Sequence, residues 1–71
     1  MKTKAQHLAW CRRRALKYLD AGDIATAIET MNRDLTGHQE TKPSVFLVLL
    51  AMKIVRDDDA HGARLWIEGF R

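Results

Sequence analysis

The sequence predicts an all-α fold, a small bundle of four helices arranged as two stacked antiparallel hairpins. Three observations predict it. Apolar residues recur at helical spacing, most cleanly at Ile24, Ala27, Ile28, Met31 and Leu35, which stand at i, i+3, i+4, i+7 and i+11. Helix-ending residues separate the periodic stretches: Gly22, Gly37 and the "DDD" run at 57–59. The chain has 71 residues, enough for a single domain. A core of that size is marginal unless it is well packed or a second copy helps to bury apolar surface.

The first helix is expected from about Thr3 to Asp20. On a helical wheel Leu8, Cys11, Ala15, Tyr18 and Leu19 share one face, with Ala5, Ala9 and Leu16 along its edge. Gly22 ends it, because glycine accepts the left-handed conformation that helix C-termini favour. Asp23 is a natural N-cap for the second helix, whose apolar stripe runs to Leu35 before Gly37 stops it. "HQETKPS" reads as a polar connection in which Thr41 caps the next helix and Pro43 occupies its first turn. Residues 44–56 contain Val45, Val48, Ile54 and Val55, which favour strands. Their length of about three turns and the enclosed Leu, Ala and Met favour a helix. The aspartates break it, and Asp59 caps a short last helix with Ala63, Trp66, Ile67 and Phe70 on one face.

Composition narrows the class. With 46% apolar and 30% charged residues, the chain belongs with ordered globular domains and not with disordered ones. The one cysteine, Cys11, excludes an internal disulfide framework and fits a reducing compartment. "VFLVLLAMKIV" is interrupted by Lys53 and too short to span a bilayer, and no leader pattern opens the chain. A soluble cytoplasmic protein, with no membrane partner, is the expectation. The net charge of +3 is uneven: residues 1–20 carry six Lys/Arg against one Asp, and residues 21–40 carry one Arg against four acids. A basic first helix points to an acidic partner, either protein or nucleic acid.

Two resemblances follow from particular residues. Ala15 and Tyr18 before the turn, and "GDIATAI" after it, resemble a tetratricopeptide repeat unit over about thirty residues. Cys11 stands where that repeat prefers Trp, and Gln39 where it prefers the closing Pro. The likeness implies a shared way of packing a helical hairpin. "HLAWC…RALKYLDAGD", "HQET" and the terminal "WIEGF" resemble a family of small, uncharacterised bacteriophage- and prophage-encoded proteins, over roughly residues 7–41 and 64–70. That family carries no assigned activity. The likeness implies a phage or prophage setting, in which small non-enzymatic proteins often bind and block a host protein.

No catalytic residues are assigned. The chain has no Ser-His-Asp set at a recognisable spacing and no Gly-rich phosphate loop. Asp57, Asp58 and Asp59 beside His61 point in different directions, and capping accounts for Asp59. His7 and Cys11, four apart on a helix, supply two metal ligands, half a zinc site at best. Cys11 reads better as a small buried residue with His7 at the core's edge. Neither a metal nor a cofactor is expected.

Two surfaces remain. Trp10 falls opposite the apolar face of its helix, beside Arg13, Arg14 and Lys17, its i+3, i+4 and i+7 neighbours. Arginine stacks on indole, and Trp and Arg are common anchors of protein interfaces. These four residues are the predicted partner-binding set. The same set suits phosphates and a stacked base, so a small nucleic-acid-binding protein is the alternative. The competing arrangement folds the last helix across Trp10 and leaves the arginines merely solvated. In the third helix Phe46, Leu49, Leu50 and Lys53 make one side, and Val45, Val48, Met52 and Val55 another. Three short helices cannot cover the whole cylinder. Self-association as a homodimer through Val45, Phe46, Val48, Leu49 and Met52 is therefore expected, ahead of a groove for another protein's helix. The function expected is a non-enzymatic interaction module that binds, and in doing so inhibits, a bacterial host protein of defence or regulation. A structural subunit of a larger assembly is the third alternative.

Overall fold

The computed structural model describes residues 3–70. It contains four helices, α1 (Lys4–Asp20), α2 (Ile24–Thr36), α3 (Val45–Arg56) and α4 (Ala60–Glu68), with a short 3-10 turn at Gln39–Thr41. A small all-helical bundle is what forms, and the described residues include no strand.

Each helix starts where a side chain accepts a hydrogen bond from its otherwise orphaned amides. Thr3 and Gln6 cap each other reciprocally at α1, with Gln6 N donating to Thr3 Oγ1 at 3.1 Å and Thr3 N to Gln6 Oε1 at 2.9 Å. Asp23 caps α2 through the Thr26 amide, as expected. Asp59 caps α4 through the Gly62 amide, also as expected. The expected cap of α3 is corrected: Ser44 receives the Leu47 amide, and Pro43 precedes the cap instead of entering the first turn. Thr41 serves α2 instead. Its hydroxyl donates to the Leu35 carbonyl at 2.7 Å, closing the C-terminus of the preceding helix.

The turns are equally specific. Gly22 takes φ +84°, a left-handed conformation that costs other residues about 1–2 kcal/mol. Between α3 and α4 the same reversal falls on Asp58, at φ 53°.

The core is built mainly by α1 and α2. Leu8, Cys11, Ala15 and Leu19 meet the full predicted stripe Ile24, Ala27, Ile28, Met31 and Leu35. Small Cys11, Ala15 and Ala27 are completely buried, which lets the two helices approach closely. Helix α4 lies against both and adds Ala63, Trp66 and Ile67, with Phe70 half-buried behind Trp66. Helix α3 touches α2 and α4 but not α1. It contributes only Ala51 and Ile54 as fully buried residues. Trp66 Nε1 donates to the Leu47 carbonyl at 3.1 Å and ties α4 to it.

Tyr18 departs from the expectation that it faces the core. It is exposed, in the last full turn of α1, where it borders a shallow depression with Arg14, Lys17 and Ala21. The chain reverses just beyond it, so α2 covers Leu19 and leaves this flank open. None of the helices is long and apolar enough to cross a membrane among the described residues.

Candidate functional site

Trp10, Arg13, Arg14 and Lys17 lie together on α1, as their spacing requires, but not opposite the core as the wheel placed them: Trp10 packs at its edge and Arg14 reaches α2. Trp10 is half-buried and packs against the edge of the core. The His7 ring lies on one side, nearly parallel, with centroids 6.0 Å apart. The Arg14 guanidinium carbon lies 4.7 Å from the indole centroid, a cation–π distance. Arg14 is itself held from α2, where Asp34 Oδ2 accepts its Nε hydrogen at 2.9 Å. The indole is thus clamped by two side chains that other elements keep in place.

His7 is tied down from the same helix. It is buried, and its Nε2 lies 3.2 Å from the Asp34 carbonyl oxygen. A carbonyl only accepts, so Nε2 carries the proton in that bond. The His38 ring, from the turn after α2, meets it at 4.1 Å between centroids. Asp34 therefore organises the cluster twice, once by its backbone and once by its carboxylate.

Two clefts flank Trp10. One, of about 650 Å³, runs towards the 3-10 turn and is lined by Thr3, Lys4, His7, His38 and Glu40 among others. The other, of about 480 Å³, is lined by Arg13, Arg14, Leu16, Lys17 and Asp20. The alternative in which α4 folds across Trp10 is not the arrangement found at these clefts. Helix α4 and its C-terminal extension meet α1 through Arg12, whose guanidinium donates to the Phe70 carbonyl, and at the rim of the second cleft, where Arg64 pairs with Asp20 at 2.8 Å.

No family model, curated protein or solved structure matches the chain.

Charge on the α1 face is more mixed than the sequence suggested. Of its arginines, Arg12 and Arg14 are engaged with other elements. Arg13 and Lys17 are exposed, and their side chains make no hydrogen bond or ion pair among the described residues. Asp20 lines the same cleft as both, and Asp34 pairs with the neighbouring Arg14. His7 and Cys11 are neighbours, Nε2 to Sγ 3.6 Å, but no group of three His, Cys, Asp or Glu residues among those described is placed to hold a metal.

Helix α3 presents the second face. Val45 is 77% exposed, Phe46 74%, Leu49 58% and Met52 62%, while Val48 turns inward and is half-buried. Leu50 takes its place at the margin of the patch. At the C-terminal end of the helix, Lys53 Nζ contacts Asp57 Oδ2 at 2.9 Å and Arg56 Nε lies 3.5 Å from Oδ1. The hydrogen bond from Lys53, with its charge, holds the Asp57 carboxyl below its ordinary pKa.

Sequence reasoning missed Asp34, His7 as a ring partner, and His38. The Arg14–Asp34 contact and the His7–His38 contact cross between elements, so only a helix-pair register would have indicated them.

Proposed function

We propose that this chain is a non-catalytic protein-interaction module that occupies a surface of a bacterial host protein, with Trp10 as the anchor. The observation that carries the proposal is the clamped indole: half-buried, stacked by Arg14 and His7, and open to a cleft on each side. Interface anchors are typically Trp and Arg. A side chain already held in place loses little conformational freedom on binding. The likeness of "HLAWC…RALKYLDAGD" to phage and prophage proteins supports a host protein as the partner class, and inhibition by occlusion as the mode of action.

Nucleic acid suits this face less well. Asp34 pairs with Arg14 and Asp20 with Arg64, which leaves only Arg13 and Lys17 of this face without an ion-pair partner among the described residues, few cations for a phosphate backbone.

The test is a tagged pull-down from bacterial extract, with and without nuclease, using the wild type and Trp10→Ala. A defined protein that survives nuclease and is lost from the variant is the expected result. Recovery of nucleic acid alone would refute the proposal. Retention by Trp10→Ala of a partner that Leu49→Glu loses would favour a structural subunit.

A further inference from the structure

We infer that the exposed face of α3 is the interface of a twofold homodimer in which the two α3 helices pack antiparallel with their crossing near Leu49. The inference rests on α3 alone and stands whether or not the Trp10 face binds a protein.

Area comes first. From their exposures, Val45, Phe46, Leu49, Leu50 and Met52 offer about 600 Å² of largely apolar surface per copy. That is at the upper end of what a soluble monomer leaves open. Two such faces bury about 1,200 Å² in total, the lower bound of a specific and stable interface.

Spacing comes second. Val45, Leu49, Met52 and Arg56 stand at i, i+4, i+7 and i+11, the seam along which two helices interlock. The inward side of the helix is already committed through Ala51 and Ile54. The seam therefore faces away from the chain's own core.

Charge decides the direction. The cations bordering the patch, Lys53 and Arg56, both lie at its C-terminal end, where they share a single carboxylate, Asp57, and so keep an excess positive charge between them. A parallel pair would bring these ends together. An antiparallel pair centred on Leu49 places the two Lys53 residues about 12 Å apart along the axis, beyond the screening length at physiological salt. It also opposes the helix dipoles and sets Phe46 of each copy against Met52 of the other, a favourable sulfur–aromatic pairing. A homodimer made this way is self-complementary, as a twofold interface must be. Because α3 does not touch α1, both Trp10 faces stay open, and the dimer presents two of them.

Sedimentation equilibrium on the full chain, from about 1 to 500 μM, tests the inference. The wild type is expected to reach twice the 8.2 kDa chain mass within this range. Leu49→Glu places two carboxylates at the crossing and is expected to weaken association by at least about a hundredfold with an unchanged circular dichroism spectrum. A wild type that stays monomeric throughout, or that does so while floating with anionic vesicles, overturns the inference. So does a Leu49→Glu chain that still dimerises. Direction is read separately in a Cys11→Ala background. Leu49→Cys is expected to cross-link to its copy under mild oxidation and Val45→Cys is not, whereas efficient cross-linking through residue 45 would refute the antiparallel arrangement.

Discussion

The pull-down with Trp10→Ala is informative only if the variant remains folded, and the geometry of Trp10 says that it does. Removing a fully buried Trp or Phe costs about 3–5 kcal/mol, part of it for the sealed cavity left behind. Trp10 is half-buried and lies between two open clefts, so its loss leaves a groove that water enters. Most of the side chain's burial is at stake but without a sealed cavity, together with an Arg14 cation–π contact worth about 0.5–1 kcal/mol at a site of this exposure. The expected cost is about 2 kcal/mol. A domain of this length has a stability of about 4–10 kcal/mol, so the folded state persists with a melting temperature lower by about 10 °C. Urea denaturation followed by far-ultraviolet circular dichroism measures this directly. Trp10→Phe, which keeps a ring between His7 and Arg14, is expected to recover more than half of the loss. A cost above about 4 kcal/mol would make Trp10 a core residue and refute its assignment as a prefolded anchor. A cost below about 0.5 kcal/mol would mean that the clamp of His7 and Arg14 is not formed.

Two other predictions concern the ends of α2 and α3. Thr41→Val keeps the shape of the side chain but removes the hydroxyl that donates to the Leu35 carbonyl at 2.7 Å, leaving that carbonyl only the longer backbone bond from the His38 amide at 3.3 Å. The expected loss is about 1–2 kcal/mol by thermal denaturation, and a wild-type melting temperature would contradict the capping role given to Thr41. Asp57 titrates below its ordinary pKa because Lys53 donates to it, so Lys53→Met is expected to raise its pKa in a carboxyl NMR titration. With a depressed pKa, the stabilising effect is complete above the ordinary carboxylate value and is lost as pH falls through the folded-state value. Full exposure keeps that effect small, and an unshifted titration in Lys53→Met would assign the depression to Arg56 instead.

What was legible in the sequence was whatever depends on one helix at a time. The α2 stripe, the Asp23 and Asp59 caps, the left-handed Gly22 and the grouping of Trp10 with Arg13, Arg14 and Lys17 all follow from spacing within a single element. The Thr41 assignment failed because a hydroxyl caps either the helix before it or the one after it. Only the fold of the connection, with Thr41 turned back onto Leu35, decides between them. Tyr18 failed because a wheel assumes a neighbour along the whole helix, and the neighbour ends where the chain reverses.

By itself, then, the sequence determined four helices, the caps of α2 and α4, the order of the helices and most of the faces on which apolar residues gather. Tertiary structure decided which faces are covered. Periodicity is a property of one helix, whereas burial is a property of a pair. Helix α3 has the longest apolar run in the chain and yet buries only Ala51 and Ile54 completely, because α1 and α2 satisfy each other first and α4 lies across both. The same packing brings Asp34 and His38 to Trp10's side of α1, turning a row of residues on one helix into a site built from three segments.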